Sequence, residues 1–277
     1  MNTLKANGTD FVCEVQGTGE PLILVHGALG DFRTWETQMT GFARRYRVLA
    51  YSRRWHYPSL AAVNSGDYTP EVHVADLLAI MEIVGPAHLA GHSYGAALCA
   101  SAVLRRPDLV RSLVLAEPSL FSLLAANGAG ASALAHAAAE IAPVVPLLRD
   151  GRKADALRQY LKVILGSGGY ERLPTRARAV MHDNLHTLEP MLNSLNVGTP
   201  FTQDHAARIS APTLLLEGDQ TPAPFALTLD ELACVVPDVQ RITLPELSHG
   251  LHLENPTAFS RVVLGFLAGV EASALAA

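Results

Sequence analysis

One pentapeptide limits the possible folds more than any other feature: Gly91-His92-Ser93-Tyr94-Gly95. It follows a short apolar run, Ala87-His88-Leu89-Ala90. It precedes a small-residue stretch of helical character, Ala96 to Arg105, that stops near Pro107. A G-x-S-x-G between a strand and a helix has a mechanical rationale. The chain turns so sharply there that the serine sits in a strained backbone conformation at the apex. Side chains at the two glycine positions would collide with the neighbouring strand and helix. The motif therefore calls for a buried strand feeding directly into a helix, the repeating unit of a parallel sheet. It also presents Ser93 at the carboxyl end of that strand. An ordinary Gly/Ser turn would have no need of this context.

The rest of the chain has the same rhythm. Phe11 to Gln16 alternates apolar and polar residues like an edge strand, and Gly17-Thr18-Gly19-Glu20 follows as a turn. Pro21-Leu-Ile-Leu-Val25, Tyr46 to Tyr51 and Val110 to Ala116 are continuous apolar runs, as strands buried on both faces should be. An amphipathic stretch from Trp35 to Arg44 and a helical pattern from Pro70 to Val84 lie between them; Pro70 suits a helix start. From Ser119 to about Ser210 no buried strand is evident, and helical segments alternate with Gly and Pro breaks. The alternation then returns: strand Thr213 to Glu217, helix near Phe225 to Val235, strand Val239 to Leu244, and a helix from about Pro256 to Leu267. The predicted fold class is α/β, a mostly parallel sheet with helices on both faces and an inserted helical cap. Residues 1–118 and 211–277 would form the core and 119–210 the cap, placed over the carboxyl ends of the strands.

Three further stretches surround Ser93 in this scheme. His26-Gly27-Ala28-Leu29-Gly30 ends the first buried strand. A glycine-bearing turn there lets a backbone N–H face the serine, so the Ala28 and Tyr94 amides are the candidate oxyanion donors. Ser248-His249-Gly250-Leu251-His252 follows the last strand. His249, nearest the strand end, is the candidate general base, and His252 reads as a packing residue. Val114-Leu-Ala-Glu117-Pro118 ends another strand with a carboxylate. A buried carboxylate there needs a partner such as an imidazole N–H.

Taken together, His26-Gly27, Gly91-His-Ser-Tyr-Gly95, Pro212-Thr-Leu-Leu-Leu-Glu-Gly218 and His249 through Pro256 resemble the α/β-hydrolase superfamily along almost the whole chain. The resemblance implies a serine hydrolase: Ser93 as nucleophile, His249 as base, and an acid in the order Ser…acid…His. It implies an ester or lactone as small-molecule substrate, with no cofactor and no metal. In such proteins the acid usually stands three residues after the glycine that ends the Thr213 to Gly218 strand. That position holds Thr221, which cannot ionise. Some members carry the acid after the strand that follows the nucleophile helix, which is Glu117 here; Asp219 remains the alternative. The same chemistry also serves acyl transfer, C–C hydrolysis and cofactor-free haloperoxidation, and slow-turnover receptors share the fold.

The loop Ser52-Arg53-Arg54-Trp55-His56-Tyr57-Pro58 follows the second buried strand. Arg53 matches a structural arginine common in the superfamily. Arg54, Trp55 and His56 bring donors, bulk and a titratable ring, and are candidate substrate-binding residues. This loop resembles one in esterases that open the lactone of macrolide antibiotics. Met181-His182-Asp183-Asn184 reads as cap packing, with Met181 added to the substrate-binding candidates.

Net charge is −5 and no Lys/Arg run exceeds two residues, which argues against a nucleic-acid partner. Met1 to Glu20 reads as polar and turn-rich, without a signal-peptide pattern. No stretch reads as a membrane span, so no membrane partner is expected. Cys13, Cys99 and Cys234 match no metal spacing and read as reduced thiols in a cytoplasmic enzyme. The sequence does not set an oligomeric state.

Overall fold

In the computed structural model, residues 2–59, 63, 66–125, 128–194 and 200–276 are described. Eight strands form one sheet: β1 (Asn2–Ala6), β2 (Thr9–Gln16), β3 (Pro21–Val25), β4 (Arg47–Tyr51), β5 (Ala87–His92), β6 (Val110–Ala116), β7 (Thr213–Gly218) and β8 (Val239–Leu244). Their order is β1-β2-β4-β3-β5-β6-β7-β8. β1 and β2 pair antiparallel, as do β2 and β4, and every later pairing is parallel.

Strand β1 corrects the reading of the N-terminus as turn-rich. Asn2 to Ala6 pairs with Thr9 to Cys13 around Asn7-Gly8, both at positive φ (43° and 66°). An Asn-Gly pair is the favoured two-residue hairpin turn because both positions need a left-handed backbone. The signal was present in the sequence, but the polar outer strand beside it masked it.

The two-residue period of the strands builds a core on each face of the sheet. Ile23, Val25, Leu89, Leu113, Leu115 and Leu215 point to one side, where helices α2 (Pro70–Val84) and α3 (Tyr94–Arg105) contribute Leu77, Ile80 and Leu98. Leu22, Leu24, Ala90, Val114, Leu214 and Leu216 point to the other. There α1 (Glu36–Phe42) supplies Met39 and Phe42 and the C-terminal helix supplies Phe259, Val263 and Leu267. Helix α2 starts where its sequence says: Thr69 caps the Val72 N–H and Pro70 occupies the first turn.

Between β6 and β7 the described residues contain helices and no strand: α4 (Gly128–Ile141), α5 (Val144–Arg149), α6 (Lys153–Leu165), α7 (Gly169–Arg172), α8 (Thr175–Asp183), α9 (Leu188–Ser194) and α10 (Gln203–Ala207). Residues 126–127 and 195–199 of this stretch lie outside the described residues. The chain then forms α11 (Ala223–Val235), α12 (Leu251–Glu254) and α13 (Pro256–Ala276). Helix α13 outruns the expected end at Leu267, since nothing in the Ala-rich tail stops a helix. By length and composition, 128–149 and 256–275 are apolar enough to cross a membrane, against the expectation that no stretch is. The first is Ala-rich and mostly exposed; the second lays Phe259, Val263 and Leu267 into the core.

Candidate active site

Ser93 stands between β5 and α3 at φ 54° and ψ −119°. This is a left-handed backbone that a non-glycine residue adopts only when its surroundings hold it. The holding contacts are visible. The Ser93 N–H donates to the Ala116 carbonyl at 2.9 Å, and the Ser93 carbonyl accepts from Ala97 at 3.1 Å and Ser119 at 3.3 Å. The flanking glycines have steric reasons. A Cβ on Gly91 would stand 2.6 Å from the Ala96 Cα, and one on Gly95 would run into the Val25 carbonyl. The nucleophile is thus strapped to the end of β6, the strand that carries the acid.

Glu117 follows β6 at φ 46° and is fully buried. Its Oε1 accepts the Gly218 N–H at 2.8 Å. Its Oε2 accepts from Thr221 Oγ1 and from His249 Nδ1, each at 2.5 Å. A carboxylate only accepts, so Nδ1 carries the proton and Nε2 is left with its lone pair, as a general base requires. Phe225 stacks on the His249 ring (centroids 3.9 Å apart, planes at 25°) and fixes its plane. Asp219, the alternative acid, is exposed, and its backbone N–H binds the Leu244 carbonyl. The acid beside His249 is therefore Glu117. Thr221 meets that carboxylate as a donor, a contact the sequence reading did not anticipate.

The oxyanion turn is oriented from behind. His26 Nδ1–H donates to the Gly27 carbonyl at 2.9 Å, and His26 Nε2 accepts the Arg53 N–H at 2.9 Å. The Arg53 guanidinium, almost wholly buried, donates to the carbonyls of His26 (3.2 Å) and Gly27 (3.1 Å) and to the Tyr68 hydroxyl (3.0 Å). In a trans peptide the N–H opposes the C=O. With the Gly27 carbonyl drawn toward Arg53, the Ala28 N–H points the other way, and Ala28 lines the same cavity as Ser93. Tyr94 opens α3, where backbone N–H groups lack intrahelical partners. Ala28 lines the cavity, and Tyr94 follows Ser93 directly in the chain.

Burial keeps most of the surrounding histidines neutral. Desolvation, followed by the Arg53 charge, holds His26, His56 and His73 well below the usual imidazole range. Desolvation does the same for His92 and pushes His252 down to about 3. His92 lies between His249 and His252 (centroids 4.6 and 4.2 Å) and donates from Nε2 to the His249 carbonyl at 2.8 Å.

Three substrate-binding candidates are corrected. Arg54 grips Asp76 with two bonds (2.8 and 2.6 Å) and the Asn7 carbonyl (3.0 Å), tying α2 to the β1–β2 turn. Trp55 stacks on Tyr68 (5.6 Å, 30°). His56 donates from Nδ1 to the Gly30 carbonyl at 2.7 Å and accepts from the Tyr68 hydroxyl at 2.9 Å. None of the three lines the cavity. The loop that resembles macrolide-lactone esterases therefore forms no wall of it. Proximity to a strand end revealed that the loop is near the site, not which way its side chains turn.

The cavity measures about 250 Å³. Its floor is Gly27, Ala28, Ser93 and His249, and α6 and α8 form an apolar wall that includes Leu161, Ile164, Leu165, Ala177 and Val180. Met181 lines it too, so the structure keeps this candidate at the cavity. Asp183 and Asn184, just beyond it, face elsewhere. Asp183 pairs with Arg33 at 2.9 Å, and Asn184 donates to Asp31 at 2.7 Å. That network, buried at Asp31 and Asn184 and exposed at Asp183, fastens α8 to the segment after β3. The charged lining residues are paired: Arg33 with Asp31 and Asp183, and Arg176 with Glu36 at 3.0 Å.

A family model for the alpha/beta hydrolase fold matches residues 20–256. A mouse sn-1-specific diacylglycerol lipase is 28% identical over 256 residues, 89% of this chain and 80% of that protein. The carboxylesterase YbfK of Bacillus subtilis is 26% identical over 261 residues, 90% of this chain and 80% of its own. The crystal structure of an alpha/beta hydrolase from Sphaerobacter thermophilus superposes with a TM-score of 0.75 at 25% identity, covering 96% of this chain and all of that one.

Proposed function

The chain belongs to the α/β-hydrolase fold family, and on that premise we propose that it is a serine esterase or lactonase working through an acyl-enzyme on Ser93. The observation that carries this reading is the Glu117–His249 bond beside a serine held in the strained turn at the cavity floor. His249 Nε2 removes the Ser93 proton as Oγ attacks the carbonyl carbon. The Ala28 and Tyr94 amides stabilise the oxyanion. His249 returns the proton to the leaving alkoxide, which departs as the alcohol. It then deprotonates a water that attacks the acyl-serine, and the tetrahedral intermediate collapses to acid and free serine. Glu117 holds the imidazole in the productive tautomer throughout.

The walls indicate the acyl group. They are apolar, and the charged side chains at the cavity already have ion-pair partners, so an uncharged aliphatic acyl group suits it better than one carrying a carboxylate. A volume of about 250 Å³ lies below the usual range of drug-sized pockets. That favours a compact ester or small lactone over a macrolide ring. The related lipase and carboxylesterase support the ester class.

A p-nitrophenyl ester series tests this. Turnover is expected to peak at a short or medium neutral acyl chain, with half-esters of dicarboxylic acids much slower. Ala177→Phe fills the wall and should move the optimum to shorter chains while acetate hydrolysis persists, since one methylene is worth about 10–200-fold in such a pocket. A preference for charged acyl groups, or an optimum that does not respond to Ala177→Phe, would contradict the acyl-site assignment.

A further inference from the structure

We propose that Thr221 is a positioning residue whose hydroxyl aligns the Glu117 carboxylate with His249, an inference that rests on the triad reading above. A glutamate has one more rotatable bond than an aspartate, so the position of its main chain does not fix the plane of its carboxylate. Here one tight turn fixes it. The chain leaves β7 at Gly218 and closes back at Thr221, whose N–H reaches the Gly218 carbonyl at 3.3 Å. The two ends of that turn each supply a donor to a different oxygen of Glu117. Gly218 N–H holds Oε1 at 2.8 Å, and Thr221 Oγ1–H holds Oε2 at 2.5 Å.

Oε2 is also the oxygen that accepts the His249 Nδ1 proton. A carboxylate oxygen has two lone pairs near the plane of the group. With the threonine hydroxyl on one, the other is directed at the imidazole. Glu117 is fully buried, so no solvent stands ready to replace a lost donor. Without the hydroxyl, Oε2 keeps only the imidazole bond, and Gly218 N–H on Oε1 is the one donor of the turn left to hold the plane of the carboxylate. The histidine then loses part of what holds its tautomer and orientation. Phe225 on the ring face sets the ring plane but supplies no such bond.

Thr221→Val and Thr221→Ser, made in the full chain, separate hydroxyl from packing. Thr221→Val keeps the branched shape and should lower kcat about 10- to 100-fold, the range for losing a hydrogen bond to a charged group, with KM little changed. Thr221→Ser restores the hydroxyl and should recover most of that loss. The NMR signal of the His249 Nδ1 proton reports the bond to Glu117 without any substrate. It should shift and broaden in Thr221→Val and stay in place in Thr221→Ser. Equal losses in both variants, or wild-type kcat with an unmoved proton signal in Thr221→Val, would overturn the proposal. If the wild type hydrolyses no ester, the esterase reading falls while the proton signal still decides the role of Thr221.

Discussion

Ser93→Ala is expected to remove ester hydrolysis, lowering kcat on the order of 10⁵- to 10⁶-fold, as loss of a nucleophilic serine does in other triads. The fold should survive. Alanine must adopt the same left-handed backbone, but the bonds that hold this turn, from Ser93 N–H to Ala116 and from Ala97 and Ser119 to the Ser93 carbonyl, are made by main chain. The hydroxyl makes no bond that the fold needs, and Ser93 is close to buried, so a smaller side chain adds no strain. Thermal melting measured beside turnover distinguishes a lost nucleophile from a lost fold. Residual activity within about tenfold of wild type, with melting unchanged, would remove Ser93 from the role.

Glu117→Gln is expected to cost about 10⁴-fold in kcat, the penalty for replacing a triad carboxylate with its amide. The amide is isosteric and its oxygen can still accept from Gly218 or Thr221. Its NH₂, however, can donate to His249 Nδ1. That reverses the bond and moves the ring proton to Nε2, where it blocks removal of the Ser93 proton. Asp219→Asn should leave the rate near wild type, because Asp219 faces solvent. Steady-state kinetics on both variants decide between the two carboxylates. A large loss in Asp219→Asn with a small one in Glu117→Gln would return the role to Asp219.

How far the sequence could be read depended on what kind of information each feature carries. The glycines around Ser93, the apolar runs and the turns after them follow from local sterics and burial, so strand ends and their residues were legible. Glu117 could be nominated because the resemblance to the α/β-hydrolase superfamily implies an acid at one of two strand ends, and Thr221, at the usual one, cannot ionise. The bond from Thr221 to Glu117 was not legible, because it joins residues 104 apart and depends on how two strand ends approach. The same limit misplaced Arg54, Trp55 and His56. Their loop follows a strand end beside the site, but Asp76, Tyr68 and Gly30, which bind their side chains, lie on other segments. In the helical stretch, period and composition give apolar faces without saying what each face meets. Met181 and Asp183 are two residues apart, yet one lines the cavity and the other binds Arg33. Asn7-Gly8 was legible in principle, and the polar strand beside it hid it.

As the activated nucleophile of a serine hydrolase, Ser93 is expected to react covalently with an electrophilic phosphorus reagent. The purified full-length chain is treated with a fluorophosphonate, and the adduct is located by mass spectrometry of the digested protein. The expected result is one adduct, on Ser93, formed more slowly when a competing ester is present and absent in Ser93→Ala. An adduct confined to another residue, or intact ester turnover with no adduct on Ser93, would take the nucleophile's role from Ser93.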